Sequence, residues 1–314
     1  MFPGWYFHTS QRLAEVPESV FEYTDATHLD LSHNSLRTIS PRISALQTLV
    51  DLDLSCNLFA TFPLEVCKLV NLSHLYIHCC KLKSLPDELE NLKELKVMLV
   101  SGNELETFPM VLTKLPNLEM LHVDENKLTE IPPEINQLKK LNSLDISKNC
   151  ISSLPESFTE LVALTDLNMS HNKFEALPQC VYEMPNLQHL NPIGCEFHGF
   201  TAEIEKLYNL TYLSLFADFD IPPEITRLAE LKTIHASDYT YDKLLPHLKN
   251  MRNIRDLYSQ TSLYTVEPNL YPIIRLHRLK PNSNSLGYIN IVPQQQKKHR
   301  RITLLDIEAA ELFE

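Results

Sequence analysis

The chain has 314 residues, of which 28 are Lys or Arg and 40 are Asp or Glu, giving a formal net charge of −12. That balance argues against non-specific nucleic-acid binding, which needs clustered cations, and no apolar run approaches the roughly 20 residues of a bilayer-spanning helix. Only five glycines are present, and Gly102, Gly194, Gly199 and Gly287 stand alone, so neither a P-loop nor a GxGxxG loop can form.

Residues 1–25 read as an N-terminal cap built on a degenerate repeat. Leu13, Val16 and Pro17 precede Leu36, Ile39 and Ser40 by one period of 23, and Trp5, Tyr6 and Phe7 are expected to cover the open end. The start, MFPGWYFHTSQRL, has no basic segment ahead of its apolar residues and does not read as a secretory signal.

From residue 26 to 258 one template, L-x-x-L-x-L-x-x-N-x-L, recurs about ten times. Its first position falls at Leu49, Leu72, Leu95, Leu118, Leu141, Leu164, Leu187 and Leu210, always 23 apart. The ninth position reads Asn34, Asn57, Cys80, Asn103, Asn126, Asn149, Asn172 and Cys195. The alternating x-L-x-L-x predicts a short strand with one apolar face, stable only when stacked on neighbours in a parallel sheet. The ninth-position side chains are expected to form a structural ladder, bonding backbone groups where the chain leaves the strand. A thiol is small enough to fill that slot but bonds weakly. A Leu-Pro pair, as in Leu154-Pro155, then fixes an extended turn before a short helical or 3₁₀ segment. The predicted fold class is an α/β solenoid, a horseshoe with its parallel sheet on the concave side and short helical segments on the convex side.

On these motifs the chain resembles intracellular leucine-rich-repeat proteins with L-x-x-L-P-x-x-I-x-x-L, the Ras-group family with its Scribble/Erbin-like and plant relatives. The resemblance covers roughly residues 12–258 and implies a protein-binding horseshoe. Departures include Ala26 for the first leucine, Ser40-Pro41 for Leu-Pro, and Thr201 for a repeat proline. Pro192 enters a strand, where it removes a ladder donor, so a kink or loosened ladder is expected there.

Residues 259–280 read as a C-terminal cap, and 281–314 as a linker-like tail with a short amphipathic helix around Leu304–Phe313. The basic run Lys297–Arg301 is a candidate nuclear-import or kinase-docking signal. Seven cysteines, an odd and scattered set without metal-finger spacing, favour a reducing compartment and a cytoplasmic location. Asn71, Asn168 and Asn209 head Asn-x-Ser/Thr triplets that coincide with the repeat's own Asn-Leu pattern.

Third, fifth, seventh and eighth positions of each repeat point to the strand face, where partner binding is expected. Tyr76, Val97, Leu99 and Met120 form an apolar island there, flanked by Asp51, Asp53, His74, His122, Asp145 and Asp166. His28, Asp51 and His74 share a column, but strands about 4.8 Å apart leave the two imidazoles roughly 10 Å apart at their roots. No nucleophile has a base beside it. The expectation is therefore no catalytic, cofactor or metal set. The chain reads as a non-catalytic signalling scaffold or adaptor binding one or more proteins, with concave histidines offering pH sensitivity. The alternative is a substrate-recognition or regulatory subunit of a ubiquitin ligase or phosphatase complex.

Overall fold

A computed structural model describes residues 4–215, 219–248, 250–259 and 275–278. Among the described residues, thirteen parallel strands form one sheet in strict chain order. They are β1 (Trp5–Phe7), β2 (His28–Asp30), β3 (Asp51–Asp53), β4 (His74–Tyr76), β5 (Val97–Leu99), β6 (Met120–His122) and β7 (Ser143–Asp145). The remainder are β8 (Asp166–Asn168), β9 (His189–Asn191), β10 (Tyr212–Leu215), β11 (Thr233–Ala236), β12 (Asp256–Ser259) and β13 (Arg275–Arg278). Between most strands lies a five-residue 3₁₀ segment; α1 (Gln179–Tyr182) and α2 (Asp238–Leu248) replace it twice.

Most connections start from proline chemistry. Pro63, Pro86, Pro109, Pro132, Pro155 and Pro222 hold extended backbone immediately before their 3₁₀ segments, and Ser40 does so with a hydroxyl accepting the Arg42 N–H. The fixed proline φ aims the chain out of the strand layer without demanding a donor. Leucines at the first, fourth and sixth positions, such as Leu49, Leu52 and Leu54, are fully buried, as are Phe59, Val66 and their equivalents. Each such side chain contributes on the order of 2 kcal/mol by leaving water. The core is thus a continuous stack between the strands and the 3₁₀ side.

Asparagine side chains tie the repeats together. The Asn57 amide donates to the carbonyls of Leu54 (2.9 Å), Ser55 (3.2 Å) and, one repeat back, Leu31 (3.0 Å), while its oxygen accepts the Leu36 N–H at 3.0 Å. Asn103, Asn126, Asn149 and Asn172 repeat this pattern, and Asn34 makes the corresponding links into the first repeat. Cys80 offers only long contacts, 3.8 Å to the Leu54 carbonyl and 3.6 Å to that of His78, and Cys195 reaches the Met169 carbonyl at 3.3 Å. A second, unforeseen ladder runs along the far edge: the amides of Asn71, Asn117, Asn186 and Asn209 donate to carbonyls one repeat back at 2.8–2.9 Å.

Pro192 interrupts one rung. Elsewhere the sixth-position N–H bonds the next strand, as Met169 does to the Asn191 carbonyl (3.0 Å), whereas proline has no such donor. The pairing of β9 with β10 is correspondingly limited to His189 with Tyr212 and Leu190 with Leu213. At the N-terminus, Tyr6 stacks on Tyr23 while Trp5 lies flat on His28, 4.0 Å between ring centres. Trp5 and Phe7 therefore belong to the strand face rather than covering the end of the core. In the region read as a C-terminal cap, β13 continues the sheet by pairing with β12. Residues 281–314, with the basic run and amphipathic segment, lie outside the described residues.

Candidate interaction face

Side chains at odd positions of each strand project away from the leucine core, and the register aligns them into columns. His28, Asp51, His74, Val97, Met120, Ser143, Asp166 and His189 stand in one unbroken row of paired positions. Asp30, Asp53, Tyr76, Leu99, His122, Asp145 and Asn168 form the neighbouring row. Val97 consequently sits between His74 and Met120, and Leu99 between Tyr76 and His122. Tyr76, Val97, Leu99 and Met120 are contiguous, and all four are half-buried.

The flanks of this patch are acidic and imidazole-rich. The Asp51 carboxylate lies 3.5 Å from His74 and 3.8 Å from His28, so one carboxylate oxygen faces both rings. Burial, aided by Asp53 and Asp30, pushes Asp51 up to about 6, and burial pulls His74 below its ordinary value. Asp53 is raised by burial, and its oxygen accepts the Ser55 N–H at 2.8 Å. Burial also raises the Tyr76 phenol.

Beyond the patch, His122, Asp124 and Asp145 converge with their donor atoms within 4.8 Å of one another. Burial and the Asp145 charge drive Asp124 up to about 7, although the Ser101 hydroxyl donates to it. Burial raises Asp145, which accepts the Ser147 N–H at 2.9 Å and the Asn168 amide at 2.8 Å, and burial lowers His122. Asp166 pairs with His189 at 2.5 Å. At the far end His189, Tyr212, His235 and Tyr258 form an aromatic row, edge-on at Tyr212–His235 and tilted at the other two pairs, with centroid spacings of 6.1, 5.0 and 4.3 Å.

Asp124, Cys56, His78 and Cys79 are absent from the predicted partner-binding set. They occupy seventh and eighth positions, where the chain turns out of the strand. Every eighth position from His33 to Gly194 has a left-handed φ between 50° and 68°. Gly194 is needed there because a Cβ would fall 2.3 Å from the His171 ring. This common backbone sets eighth-position side chains of successive repeats side by side. The signal was available in the sequence as cysteines 23 apart. Cys79 and its neighbour Cys80 diverge: Cys79 is exposed, Cys80 buried in the ladder slot.

A parallel sheet with one strand per 23-residue turn, closed by asparagine ladders, defines a leucine-rich-repeat solenoid. A leucine-rich-repeat region model matches residues 111–311, and shorter leucine-rich-repeat models match 70–128 and 26–46. The chain belongs to the leucine-rich-repeat family. A leucine-rich-repeat protein of Leptospira interrogans is 26% identical with a TM-score of 0.68, over 87% of this chain and 83% of that one. An internalin of Listeria monocytogenes is 16% identical, TM-score 0.56, over 83% of this chain and 89% of its own. The plant peptide hormone receptor RGFR1, solved in complex with RGF2, is 19% identical, TM-score 0.56, over 81% of this chain and 50% of the receptor. The latter two likenesses concern the fold. No curated sequence matches the chain. Domains of this family generally mediate protein–protein interaction and are generally non-catalytic. Among the described residues no helix is long and apolar enough to cross a membrane.

Proposed function

We propose that this chain is a non-catalytic scaffold or adaptor of the Ras-group type, working in cytoplasmic signalling and holding a partner protein on its strand face. The observation that carries this reading is the contiguity of Tyr76, Val97, Leu99 and Met120 across three strands in register. A half-buried apolar patch amid charged and imidazole side chains suits an anchor residue from a partner. Asp51 and Asp53 on one flank, and Asp145 and Asp166 on the other, favour a partner segment with basic residues beside its apolar anchor. His74 and His122 border the patch and contribute to the same contact.

Leu99→Asp combined with Tyr76→Ala tests the assignment by affinity capture from lysate followed by measurement of the captured partner's affinity. The double variant is expected to weaken binding by at least about 30-fold, equivalent to roughly 2 kcal/mol at a hot spot. Its thermal midpoint should stay near the parent's, because neither side chain belongs to the leucine core. Undiminished capture by a folded double variant refutes the strand-face assignment.

A further inference from the structure

We propose that Cys56, His78 and Cys79 form a binding site for a thiophilic d¹⁰ cation of the zinc class. Their two sulfurs and one ring nitrogen lie within 4.8 Å of one another. A tetrahedral zinc ion with bonds of about 2.3 Å to sulfur and 2.0 Å to nitrogen requires donors about 3.6–3.8 Å apart. Small side-chain rotations therefore suffice to close the three donors on one ion.

The fold supplies this arrangement. Cys56 and Cys79 occupy successive eighth positions with left-handed φ of 53° and 50°, which places them abreast on adjacent turns of the solenoid. His78 precedes Cys79, and its backbone is held by its carbonyl accepting the Cys56 N–H at 2.9 Å. The next eighth position is Gly102, where an added Cβ would lie 3.0 Å from the Cys79 sulfur. Glycine leaves that sulfur room to turn and leaves the site open to entering ions, since Cys79 is exposed.

The neighbouring clusters lack this combination. In the His122 group both Asp145 oxygens accept hydrogen bonds and Asp124 accepts from Ser101. In the His28 group the donors are two imidazoles and the Asp51 carboxylate, 3.8 and 3.5 Å from the rings, with no thiol among them. At Cys56–His78–Cys79 three protein donors bind, the thiol protons are released to solvent, and water completes the fourth position.

The test is titration of the reduced full-length chain with Co²⁺ under anaerobic conditions, read by absorption. One equivalent is expected to bind with ligand-field bands of four-coordinate geometry and a thiolate-to-cobalt charge-transfer band. Cys56→Ser and Cys79→Ser should each cut the charge-transfer intensity to about half and, like His78→Ala, weaken binding about 100-fold. Cys150→Ser should change neither. Cadmium NMR of the parent chain gives an independent reading of two sulfur ligands should a variant fail to fold. The assignment is overturned if the reduced parent shows no charge-transfer band, or if Cys56→Ser/Cys79→Ser binds as tightly as the parent. Cobalt bound with a spectrum free of thiolate character would place the ion away from Cys56 and Cys79 and likewise overturn it.

Discussion

Asp51 and Asp124 sit where a strand-face carboxylate loses water without gaining a cationic lysine or arginine partner, and the folded chain therefore holds their protons tightly. For Asp124 the cause is burial, then the Asp145 charge, against the opposing Ser101 hydroxyl and His122. A carboxyl whose pKa rises on folding supports the fold fully below its unfolded value near 4, and that support is lost as pH climbs through about 7. His74, His122 and His171 act in the opposite sense: burial lowers them, so their support is present above the ordinary histidine value and disappears as pH falls. Asp124→Asn keeps an oxygen for Ser101 and removes the buried charge. At pH 8 it should stabilise the chain by on the order of 1–2 kcal/mol, the gain shrinking toward zero near pH 5. Urea midpoints at the two pH values decide; an equal change at both contradicts the protonation argument.

At the scale of the repeat, the asparagine ladder converts a polar residue into a bridge between successive turns. Asn126 donates to the carbonyls of Val123 and Val100, both at 3.1 Å, and accepts the Leu105 N–H at 3.0 Å. Asn126→Ala strands those buried groups and is expected to cost about 1–3 kcal/mol. Cys80 marks the same slot with a thiol that meets its carbonyls only at 3.6–3.8 Å. Cys80→Asn should therefore stabilise the chain, by about 1 kcal/mol, because the backbone around it already has the geometry its neighbours use. Chemical denaturation of both variants reads the pair; a neutral Asn126→Ala would mean the ladder bonds exchange freely for water.

For the solenoid as a whole, stability is close to a sum over neighbouring turns, so one weak junction divides the array. Pro192 makes such a junction between β9 and β10, with a missing sixth-position donor and only two paired residues. Amide hydrogens of β10 and β11 should exchange faster than those of β4–β8. Pro192→Leu should restore the rung and narrow the difference, raising stability by about 1 kcal/mol. Identical exchange profiles for parent and variant would show that the side chains alone hold the junction.

The 23-residue leucine register, read along the chain, was enough to reach the parallel sheet, the proline-led 3₁₀ turns and the leucine core. A solenoid repeats one local geometry, so a period in sequence is a position in space. The apolar patch was legible for the same reason, since Tyr76, Val97, Leu99 and Met120 fall in two adjacent columns. Ladder partners one repeat away, the second asparagine row, and the pairing of Asp51 with both His28 and His74 depend on side-chain directions that spacing leaves open. The left-handed backbone at each eighth position belongs to the turn rather than to any residue type, for His33, Cys56, Glu125 and Lys148 all adopt it. The 23-residue spacing of Cys56 and Cys79 places them on adjacent turns, but only the folded chain brought His78 into the same cluster. Tertiary contacts impose that conformation and bring donors from adjacent turns within reach.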